Sequence, residues 1–280
     1  MSREPKLTIA PGERGIGKTH TTTQIMYKIA NGNREKGIMP RKVLIFDIQN
    51  EFSKIKTLPL AYVPMYAIHP TVDIRRISVF KDSGRPMNSS EMMKALMHIT
   101  SNYSNGFLLI EDMNKYISDS FPKDLVGSII SLRHVGVDVY MHVQSKTKTA
   151  HPKLYPNTNY IRLHKTGDFF ADNPSFSKYV ADAELLTIAE LLVEQENAKR
   201  PKDQQYFYLY INKDYKEIEG QFTKAQFIQA LETYISINES KIINPLLRRN
   251  NRKGEKIYQN HEQAYNFILD KLFTEYYGNG

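Results

Sequence analysis

The stretch "PGERGIGKT", Pro11 to Thr19, decides the reading of this chain. It follows the short apolar run "LTIA" (7–10) and precedes "HTTTQIMYKIANG" (20–32), which has helical spacing. Gly12, Gly17, Lys18 and Thr19 fit the pattern G-x-x-x-x-G-K-[ST], with the strand before it and the helix after it that the pattern requires. Glycines let the backbone turn tightly so that its N–H groups face a phosphate, and the start of the following helix adds a favourable dipole. In this reading Gly12, Glu13, Arg14, Gly15, Ile16, Gly17, Lys18, Thr19 and His20 surround the phosphates of a nucleoside triphosphate. Lys18 reaches the β- and γ-phosphates, and the Thr19 hydroxyl ligates magnesium. The plain alternative, a glycine-rich turn with a chance lysine, does not account for the flanks.

Working outward, apolar runs recur between helix-like stretches: "KVLIFDI" (42–48), "IRRISVF" (74–80), "GFLLIED" (106–112), "VDVYMHV" (137–143) and "NYIRLH" (159–164). Near-continuous runs suit strands buried on both faces, and helical spacing over 19–30, 90–101 and 121–134 separates several of them. The alternation predicts an α/β fold, a mostly parallel central sheet with helices on both faces. A mainly helical segment (173–200), a last strand "YFYLYIN" (206–212) and a helix (223–238) follow. Between Lys241 and Lys256 six basic residues meet one acidic residue, with Pro, Gly and three Asn as chain breakers. The expected organisation is therefore a main domain over 1–240, a basic linker over 241–258 and a small C-terminal helical extension over 259–280.

At 280 residues, 41% of them hydrophobic, the chain can bury a core of its own. The absence of cysteine excludes disulfides and thiolate metal sites and points to a reducing compartment such as cytoplasm. A net charge of +8 leans toward anionic partners. The N-terminus has no apolar core long enough for a signal peptide, and no later run approaches the roughly 20 apolar residues of a membrane helix, so a soluble protein without a membrane segment is expected.

The run "FLLIED" ends in Glu111 and Asp112, where strand-end side chains emerge beside the phosphate loop. Neighbouring strand residues point to opposite faces, so the two carboxylates are expected to have different tasks. Capping of the next helix is the simpler alternative.

Four pieces together carry a family resemblance: "PGERGIGKT"; "VLIFDIQNEF", with Asp47 and Glu51 at a strand and acidic turn; "FLLIED"; and "SLRHVGVDVYMHVQS", in which Arg133 precedes a strand ending in Gln144. On these pieces the chain resembles P-loop ATPases of the additional-strand class (RecA-like), nearest in pattern to FtsK/HerA-like DNA translocases and viral genome-packaging ATPases. The resemblance implies ATP and Mg2+ as cofactors, a homo-oligomeric ring (hexamer or pentamer), DNA as partner, a viral portal or capsid vertex as docking point, and residence in host cytoplasm or the virion. By position it implies that Arg133 acts on a neighbouring subunit's nucleotide and that Gln144 senses the γ-phosphate. Arg133 has a local rival role, offsetting the dipole of a helix C-terminus. The usual order at the third piece is Asp then Glu, and here it is reversed. Glu111 is therefore assigned to the magnesium shell and Asp112 to water activation, with Glu51 as alternate base; the shorter Asp112 is expected to slow hydrolysis.

The cluster Lys241, Arg248, Arg249, Arg252, Lys253 and Lys256 is the expected contact for DNA phosphates, with Tyr258 adding stacking on a single strand. A solvated surface linker is the competing account. Two other functions compete with a DNA motor. One is a phage assembly and secretion ATPase like the zonula occludens toxin proteins, which calls for a membrane segment. The other is a nucleotide-dependent switch with little turnover. A small-molecule kinase ranks last, because 165–204 holds no arginine before Arg200 to build a lid.

Overall fold

The structure, a computed structural model, describes residues 4–80, 84–112, 123–149, 153–172 and 182–278. The β-branched apolar runs form six parallel strands: β1 (Leu7–Pro11), β2 (Lys42–Asp47), β3 (Ile74–Ser78), β4 (Gly106–Ile110), β5 (Asp138–Val143) and β6 (Tyr160–His164). Two antiparallel strands, β7 (Tyr208–Asn212) and β8 (Glu217–Gly220), complete an eight-stranded sheet in the order β3-β2-β4-β5-β1-β6-β7-β8. β8 is not legible as a separate run, because a four-residue edge strand shows its pairing only once β7 is beside it.

Burial on both faces follows the two-residue period of a strand. In β2, Val43 and Ile45 pack with Met26 of helix α1 (Lys18–Asn31), while Leu44 and Phe46 pack on the opposite face. That second face is covered by α2 (Val63–Ile68), α3 (Ser89–Asn102) and α4 (Lys123–Ser131), through residues such as Tyr66, Leu96, Ile99 and Ile129. The start of the helix expected over 121–134 and the first part of the helical segment expected over 173–200 lie outside the described residues.

A short helix α5 (Lys146–Thr149) follows β5, and α6 (Ala183–Ala198), α7 (Lys224–Ile237), α8 (Glu239–Leu247) and α9 (His261–Tyr276) gather over β6–β8 around one core. The segment from Lys241 starts as helix, because Ile243 and Leu246 fall three residues apart and both bury. The rest is an ordered turn: Asn251 Oδ1 accepts from the N–H groups of Lys253 and Glu255 at 2.8 and 3.0 Å, and Asn250 bridges Lys256. The C-terminal helix shares this core, with Ile268 and Leu272 buried and Phe273 5.8 Å from Phe227 between ring centres. Among the described residues no helix is long and apolar enough to cross a membrane.

All six parallel strands deliver their carboxyl ends to one edge of the sheet. The strand order places β1 between β5 and β6, so whatever follows β1 emerges at the middle of that edge.

Candidate active site

The loop between β1 and α1 is clamped to both neighbouring strands: Gly12 N donates to Val143 O at 3.0 Å and Glu13 N to Lys165 O at 3.1 Å. Gly12 admits no side chain, since a Cβ there would stand 2.8 Å from His164 Cβ and also meet Ile16. Gly17, the residue before α1, has φ 85°, a left-handed conformation that favours glycine. No side chain caps α1 and no acidic residue lies in its first turn. By contrast α3 and α7 each carry a reciprocal cap, Asn88 with Glu91 and Thr223 with Gln226.

The Lys18 ammonium is folded onto the loop, donating to the carbonyls of Gly12 and, at 2.6 Å, Glu13. Burial holds it below the usual lysine range, opposed by the carboxylates of Glu111, Asp112 and Glu51. The Thr19 hydroxyl is 2.8 Å from Glu51 Oε2 and 3.4 Å from Glu111 Oε1. A hydroxyl and two carboxylates converging at the start of α1 is an oxygen set that suits a hard cation such as Mg2+, whose remaining positions water and phosphate can fill.

Glu111 and Asp112 both line the same cavity of about 320 Å³, together with Lys18, Thr19, Gln49 and Gln144. The expectation from strand alternation, opposite faces, fails for a local reason. β4 ends at Ile110, and Asp112 has φ 37°, so the backbone has left the strand. Their environments still differ. Asp112 Oδ2 accepts from the amides of Gln49 and, at 2.5 Å, Gln144. Glu111 Oε2 lies 2.7 Å from His142 Nδ1. Burial pushes the Glu111 carboxyl up, but His142, Lys18 and the Thr19 hydroxyl outweigh it and hold the carboxyl below its usual range.

Beneath the first turn of α1 lies a polar layer that the sequence reading missed. His142 Nε2 is 2.7 Å from the Thr22 hydroxyl and 3.2 Å from Arg162 Nη2, and Arg162 Nη2 also donates to Thr22 Oγ1 at 2.6 Å and Lys18 O at 3.2 Å. Arg162 is fully buried. Burial, countered by Glu111, holds His142 below the usual histidine range; burial and then the charges of Arg162 and Lys18 hold His164 well below it. With a neutral ring, the contacts of His142 place its proton on Nδ1, facing Glu111, and leave Nε2 to accept. The signal available in the sequence was a charged or ring-nitrogen residue in the middle of an apolar strand run, in "VDVYMHV" and "NYIRLH".

Glu51 reaches Thr19 because Asp47 builds the turn after β2. Asp47 Oδ1 accepts from Glu51 N at 3.0 Å, Oδ2 accepts from Phe52 N at 3.2 Å, and Arg76 Nη1 closes on Oδ2 at 2.9 Å. Burial raises the Asp47 carboxyl pKa more than Arg76 and these amides lower it. The pair therefore acts through geometry more than through net electrostatic gain.

Of the other expected residues, Arg14 and Gly15 line the cavity, while the His20 ring turns to Gln24 at 3.0 Å. Arg133 lies at the opposite edge of the sheet, before β5, with its guanidinium 3.3 Å from Asn159 Oδ1 and 3.4 Å from Asn157 Oδ1. It does not meet the phosphate loop of its own chain. Lys241, Arg248, Arg249, Arg252, Lys253 and Lys256 are all exposed. Tyr258, expected to stack on a nucleic acid, instead pairs with Phe267 at 5.2 Å and packs against the C-terminal core.

Solved structures resemble this fold. The genome packaging NTPase B204 from Sulfolobus turreted icosahedral virus 2 superposes in its ATP-gammaS complex with TM-score 0.52 and 15% identity, over 78% of this chain and 97% of that one. The same protein with AMPPCP gives TM-score 0.50 and 16% identity, over 78% and 97%. No family model and no curated protein matches the chain. The likeness shows the fold alone: a mostly parallel α/β sheet flanked by helices, similar to that of the genome packaging NTPase.

The Asp47–Arg76 pair generates a test. Asp47→Ala strips Arg76 of its carboxylate and the Glu51 and Phe52 amides of their acceptor and is expected to lower unfolding free energy by about 3–5 kcal/mol, whereas Asp47→Leu with Arg76→Met is expected to recover the part due to the unpaired charge but not the part due to the two amides. Urea unfolding of the two variants against the parent measures it; equal losses in both would remove the pair from the account.

Proposed function

We propose that this chain is an ATP hydrolase whose turnover drives DNA through a ring of identical subunits, in the manner of a viral genome-packaging motor. One observation carries the nucleotide reading: an uncapped helix N-terminus, a lysine folded over its loop, and a hydroxyl with two carboxylates beside it, all at the same strand edge. An anion satisfies the free N–H groups and exchanges places with the loop carbonyls that now hold Lys18.

Thr19 and Glu111 would hold Mg2+, which when bound would supply positive charge to offset that of the phosphates. Asp112 orients the attacking water and takes its proton as oxygen adds to the γ-phosphorus and the bond to the β-phosphate oxygen breaks. The Gln144 amide, bonded to Asp112, reports γ-phosphate occupancy to that carboxylate. Glu51 is the alternate base, exposed and already at Thr19. Likeness of fold to a genome packaging NTPase supports the motor reading by analogy alone.

The DNA part of the reading is supported by the charge of +8 and by six exposed cations on and after α8. Arg252 and Lys253 stand in the turn whose backbone Asn251 organises, and both side chains are exposed. In a ring, Arg133 would act on the adjacent subunit's nucleotide, which fits its distance from its own.

Magnesium-dependent ATP turnover should collapse in Lys18→Ala while the fold, read by circular dichroism, survives; near-normal turnover would sink the site. Arg133→Ala alone should also be inactive, and mixing it with Lys18→Ala should restore some activity through mixed interfaces. No recovery between subunits shown to exchange would leave Arg133 a structural residue.

Changing all six cations to Gln should flatten the slope of log K against log salt for duplex DNA by roughly 3, if about half of them contact phosphates. ATP turnover without DNA should stay at the parent level. An unchanged slope would exclude this segment from the DNA path.

A further inference from the structure

We infer that Tyr206 is the stacking platform for the nucleobase of the bound nucleotide, an inference that rests on the nucleotide-site reading above. The polarity of the site comes first. The groups suited to the terminal phosphate and the attacking water, Glu111, Asp112 and Gln144, come from the ends of β4 and β5. In the sheet order β4-β5-β1-β6-β7 those strands lie on one side of the phosphate loop. A nucleotide with its γ-phosphate toward β4 and β5 extends its nucleoside to the other side, toward β6 and the start of β7.

On that side the chain entering β7 passes beside the loop. Tyr206 Cδ1 stands 3.6 Å from the position a Cβ on Gly17 would take, and the side chain is half-exposed at 50%. Its neighbours have other tasks. Phe207 is buried in the C-terminal core, and Tyr208 stacks on His164 with ring centres 4.9 Å apart. Tyr206 alone of the three puts an aromatic surface in solvent next to the start of α1.

The platform is held in place. The buried Asn197 brackets Phe207, accepting from its N–H at 3.0 Å and donating to its carbonyl at 3.1 Å. One residue before Tyr206, Gln205 Oε1 accepts from Lys165 Nζ at 2.6 Å, and the Lys165 carbonyl accepts from Glu13 N of the phosphate loop. Tyr206 and the loop are thus tied to the same strand end. A ring offers its π-face to any base, so this contact contributes affinity with little base discrimination.

The test uses two probes on the full chain with Mg2+, the non-hydrolysable AMPPCP and inorganic tripolyphosphate, which has no base. Tyr206→Ala should weaken AMPPCP binding about 5- to 150-fold and leave tripolyphosphate binding within about twofold. Tyr206→Phe should bind both as the parent does, because the ring is kept. Unchanged AMPPCP binding in Tyr206→Ala, an equal loss for both probes, or a Phe variant as weak as Ala would overturn the inference. Failure of the unsubstituted protein to bind either probe would overturn the nucleotide site itself, and this inference with it.

Discussion

The first turn of α1 presents backbone N–H groups that no side chain caps, and the rest of the site is arranged around that deficit. α3 and α7 carry reciprocal caps, at Asn88 and Thr223, whereas α1, like α2, α6 and α8, has no side-chain cap; what sets α1 apart is its left-handed Gly17 and its place at the middle of the strand edge. Cationic surroundings deepen the demand for an anion. Lys18 lies over the loop and the buried Arg162 lies under the turn, donating to the Lys18 carbonyl and to Thr22. Helix dipole, ammonium and guanidinium all favour negative charge at one point of the sheet edge.

That concentration of positive charge explains the carboxylates opposite it. Glu111, between Lys18, Thr19 and His142, stays ionised although buried, because those partners outweigh the cost of burial. His142 and His164 are kept neutral by the same burial and by the cations around them. His142 Nδ1 stands 2.7 Å behind one Glu111 oxygen, leaving the other oxygen toward Thr19.

The strand ends bring side chains to both sides of the loop. β4 and β5 bring Glu111, Asp112 and Gln144, the turn after β2 brings Glu51, and β6 with the approach to β7 brings Lys165 and Tyr206. Asp47 and Arg76 never touch the loop, yet they set where Glu51 stands, because the turn after β2 closes on the Asp47 carboxylate. The amino edge of the sheet has its own tie in Arg133 with Asn157 and Asn159, far from the phosphate loop of the same chain.

What the amino-acid sequence determined by itself is what is encoded locally. The glycine and lysine spacing of "PGERGIGKT", the apolar strand runs and the strand-end pair Glu111–Asp112 each occupy a few consecutive residues, so the parallel sheet and the glycine-rich turn between β1 and α1 were legible before any contact was known. Tertiary structure decided whatever depends on distance along the chain. His142 and Arg162 read as oddities in buried strands until β5 and β6 flank β1 and bring both beneath α1. Asp112 joined Glu111 in one cavity only because the backbone turns after Ile110. The basic stretch after Lys241, full of chain breakers, became helix and ordered turn because Ile243 and Leu246 found a core to bury in. Local pattern specifies which elements form, whereas side chains separated by a hundred residues become one site only when strand order sets them side by side.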